Sequence, residues 1–175
     1  MDKRKSENMR VKNAITGTVF KLIQQRSLDD VTISDIIRSA NVARASFYRN
    51  YSSKEDVLVT GVREVLDKYQ KNAPFDLSDY TSKKNVKRAF YYFYKYKKYI
   101  LNLYNSGFGT MLLEEFNQFQ EMVAGSMPAN SPKRYHLYSF MGALYNTAIV
   151  WLKEDNPVTA EVLTEVFLEN VFCTE

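Results

Sequence analysis

The stretch Thr32-Ile33-Ser34-Asp35-Ile36-Ile37-Arg38-Ser39-Ala40-Asn41-Val42-Ala43-Arg44-Ala45-Ser46-Phe47-Tyr48-Arg49-Asn50-Tyr51 decides how this chain is read. It parses as a short helix, a tight turn and a second short helix. Thr32 with Asp35 three residues on has the spacing of a capping box, which satisfies free N–H groups at a helix start. Ile33, Ile36, Ile37 and Ala40 supply the inner face of the first helix. Asn41 falls at the turn, where a residue tolerant of left-handed geometry is needed. Val42 and Phe47 then act as the buried residues that fix the angle of the second helix. The outward face of that helix offers Arg44, Ser46, Tyr48, Arg49 and Asn50. Such side chains touch phosphates and base edges, and a helix is narrow enough for a major groove. The stretch points to duplex DNA.

The charge is placed to match. Residues 1–54 hold 11 Lys/Arg against 5 Asp/Glu, whereas residues 55–175 hold 13 against 15. A basic first third indicates a polyanion partner for that part alone. With 45% hydrophobic residues, six Gly and four Pro, the chain is too apolar for disorder and suits a helix-rich globule. Cys173 is the sole cysteine, so an intrachain disulfide is excluded. The segment from Met1 to Glu7 lacks the apolar core of a signal peptide. The most apolar stretch, Leu137 to Leu152, is short for a membrane span and carries Ser139 and Asn146. A cytoplasmic protein with no membrane partner is expected.

Outward from the opening stretch, helical spacing continues on both sides. Val11, Ile15, Val19 and Leu22 predict a first helix over about residues 6–26, entered through the basic Lys3-Arg4-Lys5. That basic run reads either as a solvated tail or as an arm for a minor groove. Ser52-Ser53-Lys54-Glu55 predicts a second capping box at the start of a fourth helix, whose Val57, Leu58, Val62, Val65 and Leu66 make an apolar stripe. Pro74 ends that helix, and the polar Asp76–Ser82 run connects it to the remainder. Residues 83–105 are rich in aromatic rings and helical in pattern. A break at Asn105-Ser106-Gly107 precedes a helix over about residues 110–124. Ser131-Pro132 opens a long helix to about Lys153, and Asn156-Pro157 is expected to open the last one, through about Phe172. The expected fold is all-α, with about nine helices and no strands. Its expected domains are residues 1–71, a helix-turn-helix head with its connecting fourth helix, and residues 72–175, a second helical domain.

Taken together, Thr32, Asp35-Ile36, Asn41-Val42, Ser46-Phe47-Tyr48-Arg49-Asn50-Tyr51 and Ser53-Lys54-Glu55-Asp56-Val57-Leu58 closely resemble the N-terminal signature of TetR-family transcriptional regulators. The spacing agrees without gaps over about residues 10–65. Further on, Phe140-Met141-Gly142-Ala143-Leu144 followed by Trp151-Leu152 resembles the dimer-forming helix of many members. The resemblance implies a regulator, usually a repressor, that binds a palindromic operator as a homodimer and is released by a small molecule bound in the C-terminal domain. It also implies that Arg44, Ala45, Ser46, Tyr48, Arg49 and Asn50 belong to the recognition helix. Thr32 and Ser34 would approach the DNA backbone from the helix before it, and Lys54 would meet a phosphate at the start of the fourth. Arg44 fits a base reader and a phosphate clamp equally well. Two departures stand out. Asn41 occupies a position that commonly holds Gly, and Ala43 one that commonly holds a Ser or Thr cap, whose loss costs about 1 kcal/mol.

The aromatic helix carries more tyrosine hydroxyls than an apolar core can satisfy. A partly polar cavity for a small apolar or aromatic effector would account for them, with Tyr91, Tyr94, Phe108, Met111, Phe119, Tyr138, Met141 and Tyr145 as candidate lining. Phe90, Phe93 and Tyr94 are expected on that helix's inner face. The last two helices hold more apolar surface than one neighbouring layer consumes. Leu137, Leu144, Ala148, Trp151, Leu163, Val166 and Phe167 are the candidate contacts with a second copy. The alternative is a regulator of the same fold controlled by a protein partner or by no ligand. Enzyme chemistry finds little support. His136 is the single histidine and lies far in sequence from Cys173, so neither a Cys–His pair nor a zinc site is expected. Glu114 and Glu115 diverge on a helix, no Gly-rich phosphate loop follows a strand, and no cofactor is implied.

Overall fold

Val11, Ile15, Val19 and Ile23 recur every four residues, and the first helix, α1 (Lys3–Ile23), buries all four on one face. The chain is described by a computed structural model over residues 3–125 and 127–172. Cys173 and the first two residues of the N-terminal segment lie outside the described residues. The chain divides into two compact units, Met1–Val65 and Leu66–Glu175.

In the first unit α1 is followed by a single 3-10 turn, Leu28–Asp30, then α2 (Ile33–Ala40) and α3 (Arg44–Asn50). The start of α4 (Lys54–Lys71) completes it, and that helix runs on into the second unit. Ile15, Val19, Leu28, Val31, Ile36, Phe47, Val57 and Leu58 have at most 1% exposure and form the core. Ile33, Ile37, Ala40 and Val42, expected inside, are only half-buried. The capping box of α4 lies one residue later than the sequence suggests. Ser53 Oγ accepts from the Asp56 N–H at 3.2 Å, and the Asp56 carboxylate accepts from the Ser52 N–H at 2.9 Å. Glu55 takes no part in it.

The second unit holds α5 (Lys83–Lys95), α6 (Lys97–Leu103), α7 (Gly109–Ala124), α8 (Pro132–Lys153) and α9 (Ala160–Phe172). Every element among the described residues is helix or connection, as the patterning predicts. The aromatic segment is two helices rather than one, broken at Tyr96 (φ −104°, ψ 18°). A π-type turn over Tyr104–Phe108 follows, with Gly107 at φ 87°, a conformation closed to most side chains. Ser131 caps α8 by accepting from the Arg134 N–H at 3.3 Å, with Pro132 in its first turn. The last helix does not begin at Asn156-Pro157. Trp151 Nε1 donates to the Val158 carbonyl at 2.8 Å in a segment that is not helical, and α9 starts at Ala160 with Thr159 Oγ1 accepting from the Val162 N–H. The connection before α5 is fixed from within the unit. Asn85 Nδ2 donates to the Asp76 and Asp79 carbonyls, and Gln120 Nε2 donates to that of Leu77 at 3.0 Å.

Candidate nucleic-acid interface

The scaffold of the interface is the turn between α2 and α3, and its geometry follows from three residues. Thr32 Oγ1 accepts from the Asp35 N–H at 3.1 Å, while Asp35 Oδ2 accepts from the Thr32 N–H at 3.1 Å and the Thr32 hydroxyl at 2.8 Å. This is the capping box the sequence announced. Arg26 and Arg38 close on the same carboxylate at 2.9 and 2.7 Å. The bonds from the Thr32 hydroxyl and N–H, with help from Arg26, hold the Asp35 carboxyl below the usual carboxylate range. At the other end of α2, Asn41 adopts the left-handed conformation (φ 50°, ψ 52°) that ends the helix. The Val42 N–H reaches back to the Ile37 carbonyl at 3.2 Å, which closes the turn.

Ala43 then begins α3 with no side-chain cap, as its methyl group requires. Phe47 anchors this helix with no exposed surface, its ring edge-on to Tyr48 at 5.5 Å and 6.0 Å from Tyr51. Tyr51 is itself buried, sharing a hydrogen bond with Thr16 Oγ1 at 3.2 Å and lying under the Lys12 ammonium, and burial pushes its phenol up. With one face fastened by Phe47, helical geometry turns Arg44, Ala45, Tyr48 and Arg49 to solvent. Tyr48 is 48% exposed.

These side chains are ordered by their own helix. The Arg44 guanidinium lies 5.5 Å from the Tyr48 ring centre, with Nη2 3.3 Å from the Tyr48 hydroxyl. Arg49 Nη2 donates to Ser46 Oγ at 3.3 Å. Asn50, expected on the reading face, is half-buried and turns its Nδ2 back to the Ser46 carbonyl at 2.8 Å. Ser34 is exposed beside the Thr32 cap. Lys54, expected at a phosphate, instead directs its ammonium to the carbonyls of Leu28, Asp29 and Val31. An ammonium has three protons, and here each has an acceptor. Lys54 thereby ties the start of α4 to the turn that precedes α2. Arg26, Thr16 and Lys54 in this supporting role were not foreseen, because their partners lie at sequence separations that no local pattern reveals.

Two further groups of residues belong to the second unit. Of the eight candidate effector contacts, Phe119, Met141 and Tyr145 are buried, and Phe108, Met111 and Tyr138 half-buried. Tyr145 donates to the Gly109 carbonyl at 2.9 Å, and burial followed by the nearby Tyr104 pushes its phenol up to about 12. Tyr138 donates to Glu121 at 2.8 Å and accepts from Arg134 at 3.0 Å. Tyr91 and Tyr94 face outward instead, 48% and 52% exposed. The inner face of α5 is Val86, Phe90 and Phe93, and Tyr94 falls just past its edge. Of the seven candidate dimer contacts, only Val166 is exposed. Leu137, Leu144, Ala148, Trp151, Leu163 and Phe167 are buried inside their own chain, where Phe90 packs on Trp151 at 5.9 Å and on Phe167 at 5.7 Å. The exposed apolar residues of the same region are Tyr135, Val150, Val158, Val162, Val166 and Val171. Among the described residues no helix is long and apolar enough to cross a membrane, and no cluster of metal-ligating side chains occurs.

Residues 16–59 match the family described as bacterial regulatory proteins, tetR family. Over 54 residues the chain is 35% identical to the HTH-type transcriptional regulator EthR of Mycobacterium tuberculosis, a match taking in 31% of this chain and 25% of EthR. The chain thus spans about a quarter of that relative's length. A TetR transcriptional regulator from Streptococcus agalactiae shares the fold with a TM-score of 0.73 at 20% identity, over 96% of this chain and 97% of its own. Lin0861 from Listeria innocua does so with a TM-score of 0.75 at 12% identity, over 97% and 92%. The N-terminal segment over residues 16–59 is therefore similar to that of the tetR family of bacterial regulatory proteins, and the chain as a whole shares the fold of these solved structures.

Proposed function

We propose that the protein is a repressor that binds a palindromic operator as a homodimer and is released by a small-molecule effector. The observation that carries the DNA reading is the division of α3 into a fully buried Phe47 and an outward row of Arg44, Ala45, Tyr48 and Arg49. A helix fastened on one side and cationic on the other can enter a major groove as a rigid body. Arg44 and Arg49 supply bidentate donors for guanine edges or phosphates. Tyr48, Ser46, Thr32 and Ser34 supply hydroxyls for the sugar-phosphate backbone. Asn50 and Lys54 support the reading face through the hydrogen bonds described above.

A twofold pair of such heads would read half-sites about 34 Å apart, or a multiple of that. The exposed valines of α9, Val162 and Val166, with Val150 of α8, supply the apolar surface for pairing with a second copy. Phe108, Met111, Phe119, Tyr138, Met141 and Tyr145 are the proposed effector contacts. Selection of bound sequences from random duplex DNA, followed by anisotropy titration of the selected site, tests the reading. A palindromic consensus bound at two chains per duplex is the expected result. Indifference to all duplexes at low salt overturns it.

A further inference from the structure

We propose a second ligand site, a groove on the outer side of α5 that takes a small carboxylate carrying a flat apolar body. The groove has a volume of about 410 Å³, within the range of sites for small organic molecules, and is lined by Phe75, Lys84, Lys87, Arg88, Tyr91 and Tyr92. It belongs wholly to the second unit and shares only Tyr91 with the effector contacts proposed from the sequence. Its floor is built around one cation. The Arg88 guanidinium lies 4.8 Å from the Tyr69 ring centre, 4.9 Å from that of Tyr92 and 5.9 Å from that of Phe75. Three rings hold it in place and keep it partly out of water.

The hydrogen bonding of this cation is incomplete. Arg88 Nη2 donates to the Tyr69 carbonyl at 2.9 Å, but Nε is buried with no acceptor among the described residues. A buried donor without a partner is costly, and an anion close by relieves that cost. The rest of the rim has the same sign. Lys84 lies over Phe75 at 5.2 Å, and Lys87, over Tyr91 at 5.7 Å, is balanced by Glu161 at 3.1 Å. Asp76 is the carboxylate whose titration Lys84 influences, and it is already held by Ser78. Of the three lining cations Lys87 is paired with Glu161, which leaves Lys84 and Arg88 as the groove's excess charge. Rings on the walls and an under-satisfied guanidinium on the floor suit a planar body with one carboxylate, and the fork of Arg88 suits that group better than a halide.

The site stands whether or not its occupancy alters DNA affinity, so the experiment reads binding directly. The intact protein is titrated calorimetrically with 2-naphthoate, its neutral isostere 2-naphthamide, and acetate. Naphthoate is expected to bind at least tenfold more tightly than naphthamide, with acetate undetected at the same concentrations. Lys84→Gln, an exposed change that leaves packing intact, should weaken naphthoate about threefold, and Arg88→Gln at least tenfold. Lys98→Gln, outside the groove, should leave it unchanged. Equal affinity for naphthoate and naphthamide, no naphthoate binding at millimolar concentration, or naphthoate binding indifferent to both Lys84→Gln and Arg88→Gln overturns the proposal. Because Lys84 lies outside the hydrophobic core, its variant reports even if Arg88→Gln fails to fold.

Discussion

Arg44 and Tyr48 stand one helical turn apart on α3, the guanidinium 5.5 Å from the ring centre and 3.3 Å from the phenol oxygen. The pair presents one flat, cationic surface rather than two independent side chains. Substituting Tyr48→Ala should therefore weaken binding to every duplex and also loosen Arg44. Arg44→Ala should reduce selectivity at one operator position, by about 1–3 kcal/mol if it grips a guanine. A titration of both variants against operator and scrambled duplexes separates the two effects. If Arg44→Ala lowers both affinities equally, Arg44 holds a phosphate.

The missing cap on α3 is a local defect that a single hydroxyl repairs. Ala43 already has the extended geometry of a cap (φ −69°, ψ 145°) but offers no acceptor to the first turn. Ala43→Ser should stabilise the first unit by roughly 0.5–1 kcal/mol, since the backbone need not move. Thermal denaturation checks it, and an unchanged or lowered midpoint counts against the reading.

Lys54 separates a structural role from a DNA-contacting one. Its ammonium closes on three carbonyls, so Lys54→Met keeps the aliphatic stem and removes every bond. The expected loss is about 1–2 kcal/mol of stability, because carbonyls that lose a charged donor must find water. DNA affinity should fall mainly through that loss. Measured well below the melting range, the salt dependence of operator binding should keep the wild-type slope; a slope reduced by about one unit would place Lys54 on a phosphate.

The head was legible in the sequence because its determinants are local. Thr32 and Asp35 cap within four residues, Asn41 turns on its own backbone, and Phe47 is the apolar residue among polar neighbours. The second unit was legible as helices but not as faces. Trp151 and Phe167 have the apolar spacing that either a second copy or the chain's own α5 would satisfy, and Phe90 of α5 takes them. Likewise Asn156-Pro157 has the form of a helix start, but the Trp151 indole donates to Val158 and the helix starts at Ala160. Lys54 and Arg88 share this origin. Each is a surface cation by type and a fixed one by tertiary partners.

Asp35 links the fold of the head to acid. Its carboxyl is held below the ordinary range by Thr32 first and Arg26 next. A carboxyl whose folded value is depressed stabilises the protein above its unfolded value, near pH 4, and that contribution disappears as pH falls through the folded value. Asp35→Asn should therefore flatten the acid limb of the stability profile below about pH 4 and lower stability at neutral pH. Circular dichroism of the two proteins from pH 2 to 7 checks the sign (an approximate window set by that carboxylate range). An unchanged acid limb shows that Arg26 and Thr32 do not favour the charged form.

The exposed valines of α9 divide the dimer reading from mere apolar content. Val162 and Val166 are one turn apart and 48% and 46% exposed, whereas Leu163 beside them is buried. Charges at the two valines cost the isolated chain little, because both side chains already meet water. In a two-copy interface the same charges face their twofold mates at close range and must lose their hydration. The double change Val162→Lys with Val166→Lys should leave helicity and melting of the monomer intact, shift sedimentation to a single chain, and cut operator affinity by at least a hundredfold. Leu163→Lys should unfold the second unit instead, by burying an unpaired charge. If the double-valine variant still sediments as a dimer, the pairing surface lies elsewhere on the chain.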